Sequence, residues 1–171
     1  MENIRIAGII RKSPTKQTEE SIDVQKKAII EKAERDYPNK NRQITFFIDI
    51  CKGDDPNRKN LLKLFNKLND YDVAYCYNPD RFSRSWLGLK WFHEHFTQKQ
   101  LRFVSGVGDL YNQDGSVNPD IYLQFFILCG FAQYELMRIR ARIKAGIKRV
   151  QSDPKLRAIK YKGGKKGRCW K

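Results

Sequence analysis

The sequence predicts an α/β fold: a mainly parallel sheet of four to five strands flanked by helices, followed by one long C-terminal helix. Three observations lead there. Short apolar runs of strand length alternate with stretches of helical periodicity in the order βαβαβαβ, and that alternation builds parallel sheets covered by helices. Residues 119–150 then keep helical spacing without a break. At 171 residues the chain fits one full domain with an appendage and is long enough to bury a core.

The elements follow in order. Residues 4–10 are the first apolar run and read as a buried strand. A polar loop leads into a helix over about 21–37, in which Ile22, Ala28, Ile29 and Ala33 share one face. Pro38-Asn39 ends it. The second strand, 44–48, runs to Asp49, and a polar loop with Gly53 and Pro56 follows. A helix over about 57–69 turns Leu61, Leu62, Phe65 and Leu68 inward. The third strand is 73–77. After the loop Asp80-Arg81-Phe82-Ser83-Arg84, a helix over about 86–98 precedes the fourth strand, 101–105. Residues 106–118 are rich in Gly and Asp and read as a mobile surface loop.

Pro119 suits the start of the last helix. At about 1.5 Å per residue this helix spans on the order of 45 Å, more than a small domain covers. Its first half is apolar nearly all round, with Ile121, Phe125, Phe126, Leu128 and Phe131. Its second half keeps only a stripe: Leu136, Ile139, Ile143, Ile147 and Val150. That spacing of three and four is a heptad-like seam. A core helix that simply runs long is one reading. The stripe outlasts any strand available to cover it, which favours a helix that packs against a partner subunit. Leu128, Leu136, Ile139 and Ile143 are the expected interface. The expected organisation is an α/β domain over 1–118, a long partner-packing helix over 119–150, and a basic tail over 151–171.

Charge is distributed unevenly. The chain carries 34 Lys and Arg against 19 Asp and Glu, a net charge of +15. Residues 1–137 hold 20 of the cations and 18 of the acids, leaving +2. Residues 138–171 hold 14 cations and one acid, Asp153, leaving +13. A solvated face explains scattered charges but not a one-sided block of this length, and phosphate contacts to nucleic acid explain it better. An anionic membrane is the weaker partner, because the segment lacks the interleaved aromatic and leucine face that would seat it. The tail is expected to be extended or disordered without DNA.

Other classes fall away. No apolar stretch approaches membrane-spanning length and the N-terminus carries no signal-peptide pattern. Cys51, Cys76, Cys129 and Cys169 are scattered with no CxxC pair. With only His93 and His95 beside them, a zinc site is not expected. Reduced thiols in a cytoplasmic, DNA-associated protein are expected.

The chemistry sits at strand ends, where α/β sheets place their sites. Arg11-Lys12-Ser13 follows the first strand, and the Asp80–Arg84 segment follows the third. A lone serine after a strand is ordinarily a cap or loop residue. There is no G-x-S-x-G elbow, and neither histidine is placed to suggest a hydrolase triad. Arg11 changes that reading. Side chains two apart on an extended chain point to one side, so Arg11 and Ser13 project together. Arg81 and Arg84, three apart, can share a face. Arg58, which alone reads as a surface arginine, adds another guanidinium. A hydroxyl among guanidiniums suits attack on a phosphate, with the arginines holding non-bridging oxygens and stabilising transition-state charge. Asp80 is either their salt-bridge partner or a group for proton transfer.

Five motifs stand in order: Arg11-Lys12-Ser13 with Gln17; Ser21-Ile22-Asp23-Val24-Gln25; Asp49, Gly53 and Arg58; Asp72 through Asp80, Arg81 and Arg84; and Ala132, Glu135, Arg138, Arg142 and Gly146. Together they resemble the catalytic domain of the serine recombinase family, the resolvases and DNA invertases, over residues 4–150. The resemblance implies that Ser13 attacks a DNA phosphodiester to give a 5′-phosphoserine link and a 3′-hydroxyl, with rejoining that needs neither ATP nor metal. It implies that Arg11, Arg58, Arg81 and Arg84 bind the scissile phosphate, that Asp80 orients arginines or assists proton transfer, and that Gln17 and Gln25 support the site. It implies a double-stranded DNA substrate, a homodimer that pairs into a synaptic tetramer, strand exchange by subunit rotation, no cofactor and no small-molecule substrate. DNA contacts are expected from Arg138, Arg142, Lys148 and Arg149 on the long helix. Further contacts are expected from Lys162, Lys165, Lys166 and Arg168 in the tail.

The chain departs from the family pattern at Lys52, where a small hydroxyl residue is usual, and at Ile9, where an aromatic is often found. No helix-turn-helix follows before Cys169-Trp170-Lys171, as expected either of a catalytic-domain fragment or of a protein that depends on its tail or a partner for targeting. Weak, salt-sensitive and poorly sequence-specific DNA binding is expected from a basic tail alone. Two rivals stand beside this reading. A non-catalytic DNA-binding relative would not need the Arg–Ser–Arg–Asp–Arg set. A metal-dependent phosphoesterase would need clustered carboxylates, and the acids here are interspersed with arginine.

Overall fold

The first apolar run is an inner strand of a four-stranded, wholly parallel sheet. The structure, a computed structural model, describes residues 2–14, 21–83, 86–96, 99–112 and 114–153. Strands β1 (Asn3–Lys12), β2 (Asn41–Ile50), β3 (Val73–Cys76) and β4 (Gln100–Phe103) lie in the order β2-β1-β3-β4. In register, Ile6 of β1 faces Ile44 of β2 and Val73 of β3, and Arg11 faces Asp49. Chain order turns outward in both directions from β1, so the switch point of this sheet falls between β1 and β3.

Alternation along the strands sorts the core into two layers. Ile4, Ile6, Ile10, Val73 and Tyr75 meet helix α1 (Ile22–Asp36) through Ile29 and Ala33. Ala7, Ile9, Ala74, Cys76, Leu101 and Phe103 meet the other side. There the cover comes from α2 (Lys59–Asn66), α4 (Leu87–His95) and the first part of the long helix, which contributes Phe125 and Cys129. Ser21 caps α1, its hydroxyl accepting from the Val24 amide at 3.2 Å.

Four details differ from the expectations. The α2 helix is shorter than 57–69, and a single 3-10 turn (Leu68–Asp70) follows it. The helix buries Leu61 and Leu64, the turn buries Leu68, and Leu62 faces outward. The run Leu61-Leu62-Lys63-Leu64-Phe65 suits either face by periodicity alone. The start of the helix, tied to a buried carboxylate described below, sets which face turns in. A short helix α3 (Pro79–Phe82) stands where a loop was expected. The segment after β4 is anchored at one point that composition does not show: Leu110 and Tyr111 are buried, and the Tyr111 hydroxyl accepts from the Leu101 amide and donates to the Phe96 carbonyl, both at 3.0 Å. An aromatic ring with its hydroxyl satisfied twice anchors what composition alone marks as loose.

The chain forms two compact units, Met1–Gln133 and Tyr134–Lys171, and helix α5 (Pro119–Ser152) runs through both. In the second unit, Tyr134, Met137, Ile139, Ile143 and Ile147 are exposed along the helix. The expected tail beyond residue 153 lies outside the described residues.

Asp36 locks the α1 layer. Its carboxylate accepts from the Tyr75 hydroxyl at 2.5 Å and pairs with Lys32 at 3.1 Å and Arg102 at 3.2 Å. Burial raises this carboxyl, but Tyr75, Lys32 and Arg102 outweigh it and hold the group below its ordinary 3.8. A carboxyl held low in the fold stabilises it above the unfolded value, and the stabilisation is lost as pH falls through the folded value. Asp36→Asn is expected to cost about 1 kcal/mol at pH 7. The difference from wild type should narrow as pH falls below the ordinary 3.8, as read by urea unfolding at pH 7 and along that descent.

Candidate active site

The candidate site lies past the carboxyl ends of β1, β2 and β3, at the switch point of the sheet. Gln25, fully buried on α1, brackets the end of β1. Its Oε1 accepts from the Arg11 amide at 3.4 Å and its Nε2 donates to the Arg11 carbonyl at 3.1 Å. The side chain thus acts as an added strand and fixes the backbone two residues before Ser13. Ser13 follows β1 directly and is half-buried.

Arg11 and Arg58 are each 1% exposed. The side chains of both run inward to the short helix α3. Arg11 Nη2 donates to the Asp80 carbonyl at 3.3 Å, and its Nη1 donates to the Cys51 carbonyl at 3.2 Å. Arg58 Nη1 donates to the carbonyls of Arg81, at 3.2 Å, and Phe82. A helix leaves its last carbonyls without partners of its own, and those carbonyls form the negative end of its dipole. Two guanidiniums fill that role here.

Carboxylates complete the frame. Asp49, at the end of β2, accepts from Arg58 Nε at 3.3 Å and from the amides of Asn60 at 2.9 Å and Leu61 at 3.1 Å. It therefore caps α2 from a neighbouring strand and orients Arg58 in the same act. Asn60 returns a bond from its side chain to the Ile48 carbonyl at 2.6 Å. Asp80, 39% exposed at its side chain, accepts from Arg81 Nη1 at 2.8 Å and lies 3.9 Å from Arg11 Nη2.

Three guanidiniums, Arg11, Arg58 and Arg81, thus share two carboxylates, Asp49 and Asp80. The cluster keeps a positive charge. Arg58 Nη2 is buried and has no hydrogen-bond partner among the described residues. A buried donor of this kind suits a phosphate oxygen. Cys51 is half-buried beside these arginines. Burial pushes its thiol up against the pull of Arg58, so it is protonated at neutral pH and is no thiolate nucleophile. Among the described residues no group of three or more His, Cys, Asp or Glu is placed to hold a metal ion.

Of the eight residues expected in the site, Arg11, Gln25, Arg58, Asp80 and Arg81 are connected in this way, and Ser13 adjoins them along the chain. Gln17 and Arg84 lie outside the described residues. Arg138, Arg142, Lys148 and Arg149 are exposed on α5, as are Leu128, Ile139 and Ile143, with Leu136 half-buried. Lys162, Lys165, Lys166 and Arg168 lie outside the described residues. Sequence reasoning gave Asp49 no task and missed Asn60 altogether. The nine-residue spacing of Asp49 and Arg58 was the available signal. The acceptor carbonyls of Cys51, Asp80, Arg81 and Phe82 carry no sequence signal, since every residue has one.

Residues 6–155 match the family model described as the resolvase N-terminal domain. The chain belongs to the resolvase family. This makes it a serine recombinase catalytic domain, an enzyme of site-specific recombination. A solved structure carries the same fold. The resolvase domain is similar to the N-terminal catalytic domain of TP901-1 integrase, with 24% identity and a TM-score of 0.53 over 78% of this chain and 97% of that one. It is also matched by the C-terminal catalytic domain of ISC1926 TnpA, an IS607-like serine recombinase. That match has 25% identity and a TM-score of 0.48, over 60% of this chain and 72% of that one. No curated protein matches the chain.

Removing Arg58 takes one of three donors from Asp49 and a donor from the Arg81 and Phe82 carbonyls at once. Arg58→Met is expected to destabilise the resolvase domain by about 3 kcal/mol or more. Asp49→Asn with Arg58→Met should cost less than the sum of the two, a coupling read from a double-mutant cycle in urea.

Proposed function

We propose that this domain cleaves and rejoins DNA through a covalent bond to Ser13. The observation that carries the reading is the net-positive guanidinium cluster beside Ser13, with no hydrogen-bond partner for Arg58 Nη2 among the described residues. In the proposed step the Ser13 hydroxyl oxygen attacks the phosphorus and gives up its proton. The bond from phosphorus to the 3′ oxygen breaks, and that oxygen takes a proton to leave as the 3′-hydroxyl. The phosphate remains joined to Ser13 and to the 5′ end. Reversal by a 3′-hydroxyl restores the phosphodiester and the serine, so bond energy is conserved and ATP is not required.

Arg11, Arg58 and Arg81 stabilise the charge that builds on the non-bridging oxygens, with Arg84 as a fourth candidate. They are held in place before substrate arrives, so no reorganisation is required as the charge develops. Asp80, half open to water and paired with Arg81, is the candidate group for passing a proton. Gln25 keeps the Ser13 backbone aligned, with Gln17 in support.

Helix α5 supports a DNA and oligomer role by its two faces. At about 100° per residue, Arg138, Arg142 and Arg149 fall within about 40° of one another around the helix. Leu128, Leu136, Ile139 and Ile143 form a separate apolar strip, and three of these four are exposed in a single chain. Exposed apolar strips of this length mark protein–protein contacts. The proposed assembly is a homodimer on duplex DNA that pairs into a tetramer, with Lys148 and the tail lysines and Arg168 adding phosphate contacts.

The test is covalent trapping. The chain is incubated with supercoiled DNA from its native locus in EDTA and glycol, and 5′ ends are examined for attached protein. The expected result is an adduct that Ser13→Ala abolishes and the chelator leaves unchanged. Chelator-sensitive cleavage, or DNA binding without any Ser13-dependent adduct, would contradict the reading.

A further inference from the structure

The carbonyls that hold Arg11 and Arg58 belong to a helix of four residues, too short to hold its own shape by internal hydrogen bonds. Something else must set α3 in place. Its first turn is Asn78-Pro79. Asn78 is extended (φ −153°, ψ 168°), and its Oδ1 accepts from the Arg81 amide at 3.2 Å. The Asn78 carbonyl accepts from the Arg81 and Phe82 amides at 3.0 and 3.3 Å. Pro79 supplies the helical φ in the first turn. The opposite side of this turn is occupied by the chain leaving β4. The Val104 amide bonds to the Cys76 carbonyl at 3.0 Å, and the Ser105 amide to the Tyr77 carbonyl at 2.8 Å. These bonds seat Gly106 against the cap. Gly106 has φ +93°, and a Cβ there would come within 3.0 Å of Pro79 Cδ and 3.5 Å of Asn78 Cβ. Both the backbone angle and the space require glycine.

We infer that Asn78 and Gly106 are positioning residues for strand cleavage: one caps α3 and the other backs it, so that its carbonyls and Asp80 present the arginine cluster to the phosphate. The inference rests on the proposed recombinase reading but concerns residues outside the expected site. Neither residue touches the phosphate. They act through Asp80, Arg81 and Phe82, so their loss lowers the rate of the chemical step more than it lowers DNA affinity.

The test uses the full chain with Asn78→Ala, Asn78→Ser and Gly106→Ala. The Ser13–DNA adduct rate is measured at saturating DNA, beside duplex affinity. In parallel, the exchange rate of the Arg58 guanidinium protons is read by NMR without DNA. Asn78→Ala is expected to slow adduct formation by about 10-fold, the rate equivalent of one lost cap, and to leave affinity within about 2-fold. Asn78→Ser, which keeps a capping oxygen, should restore most of the rate. The guanidinium protons should exchange faster in Asn78→Ala and Gly106→Ala and near the wild-type rate in Asn78→Ser. Equal rates for Asn78→Ala and Asn78→Ser, or unchanged guanidinium exchange, would overturn the inference. A wild-type chain that forms no Ser13-dependent adduct would overturn the recombinase reading instead, while the exchange measurement would still decide the positioning role.

Discussion

Arg11 and Arg58 are almost wholly withdrawn from water, and a buried guanidinium left without partners costs several kcal/mol. The chain compensates them with the spare carbonyls of α3 and with Asp49. That exchange satisfies two needs together. A four-residue helix has acceptors it cannot use, and two buried cations need acceptors they cannot obtain from solvent. The consequence is mutual dependence: α3 is held by the arginines, and the arginines are held by α3. Asp80 and Arg81 ride on the same helix, so much of the cluster meets on one short piece of backbone, with Asp49 and the Cys51 carbonyl completing it.

The sheet explains why this cluster forms where it does. With β1 between β2 and β3 in a parallel sheet, the carboxyl ends of all three lie side by side at one end of the sheet. Arg11 leaves β1, Asp49 leaves β2, and α3 follows β3. Gln25 on α1 pairs with both sides of Arg11, which ties the helical layer to the strand end. The guanidiniums are held by hydrogen bonds within the protein, and preorganised donors stabilise developing charge well. Among the described members of the cluster, the Asp80 carboxylate is partly open to water, whereas Arg11 and Arg58 are not.

Much of this was legible in the sequence. Strands β1 to β4 stood out because their apolar runs are short and bounded by polar turns, and α5 because its periodicity is unbroken. The face of α2 was ambiguous, since Leu62 and Leu64 fit helical spacing equally well and the deciding contact is Asp49, far away in sequence. The stretch 106–118 looked loose from Gly and Asp content, yet one tyrosine hydroxyl ties it to Phe96 and Leu101. The arginines were legible as residues but not as a buried set. Arginine composition predicts solvent exposure, and only the three-dimensional supply of carbonyls reverses that for Arg11 and Arg58.

The central claim is that the buried arginine cluster is the phosphate site. A crystal structure of the Ser13→Ala chain bound to duplex DNA tests it most directly. A non-bridging oxygen of the phosphate facing residue 13 should lie within about 3 Å of Arg58 Nη2, with Arg58 Nη1 still on the Arg81 and Phe82 carbonyls. A phosphate seated away from Arg58, with DNA held only by the cations of α5 and the tail, would contradict the account.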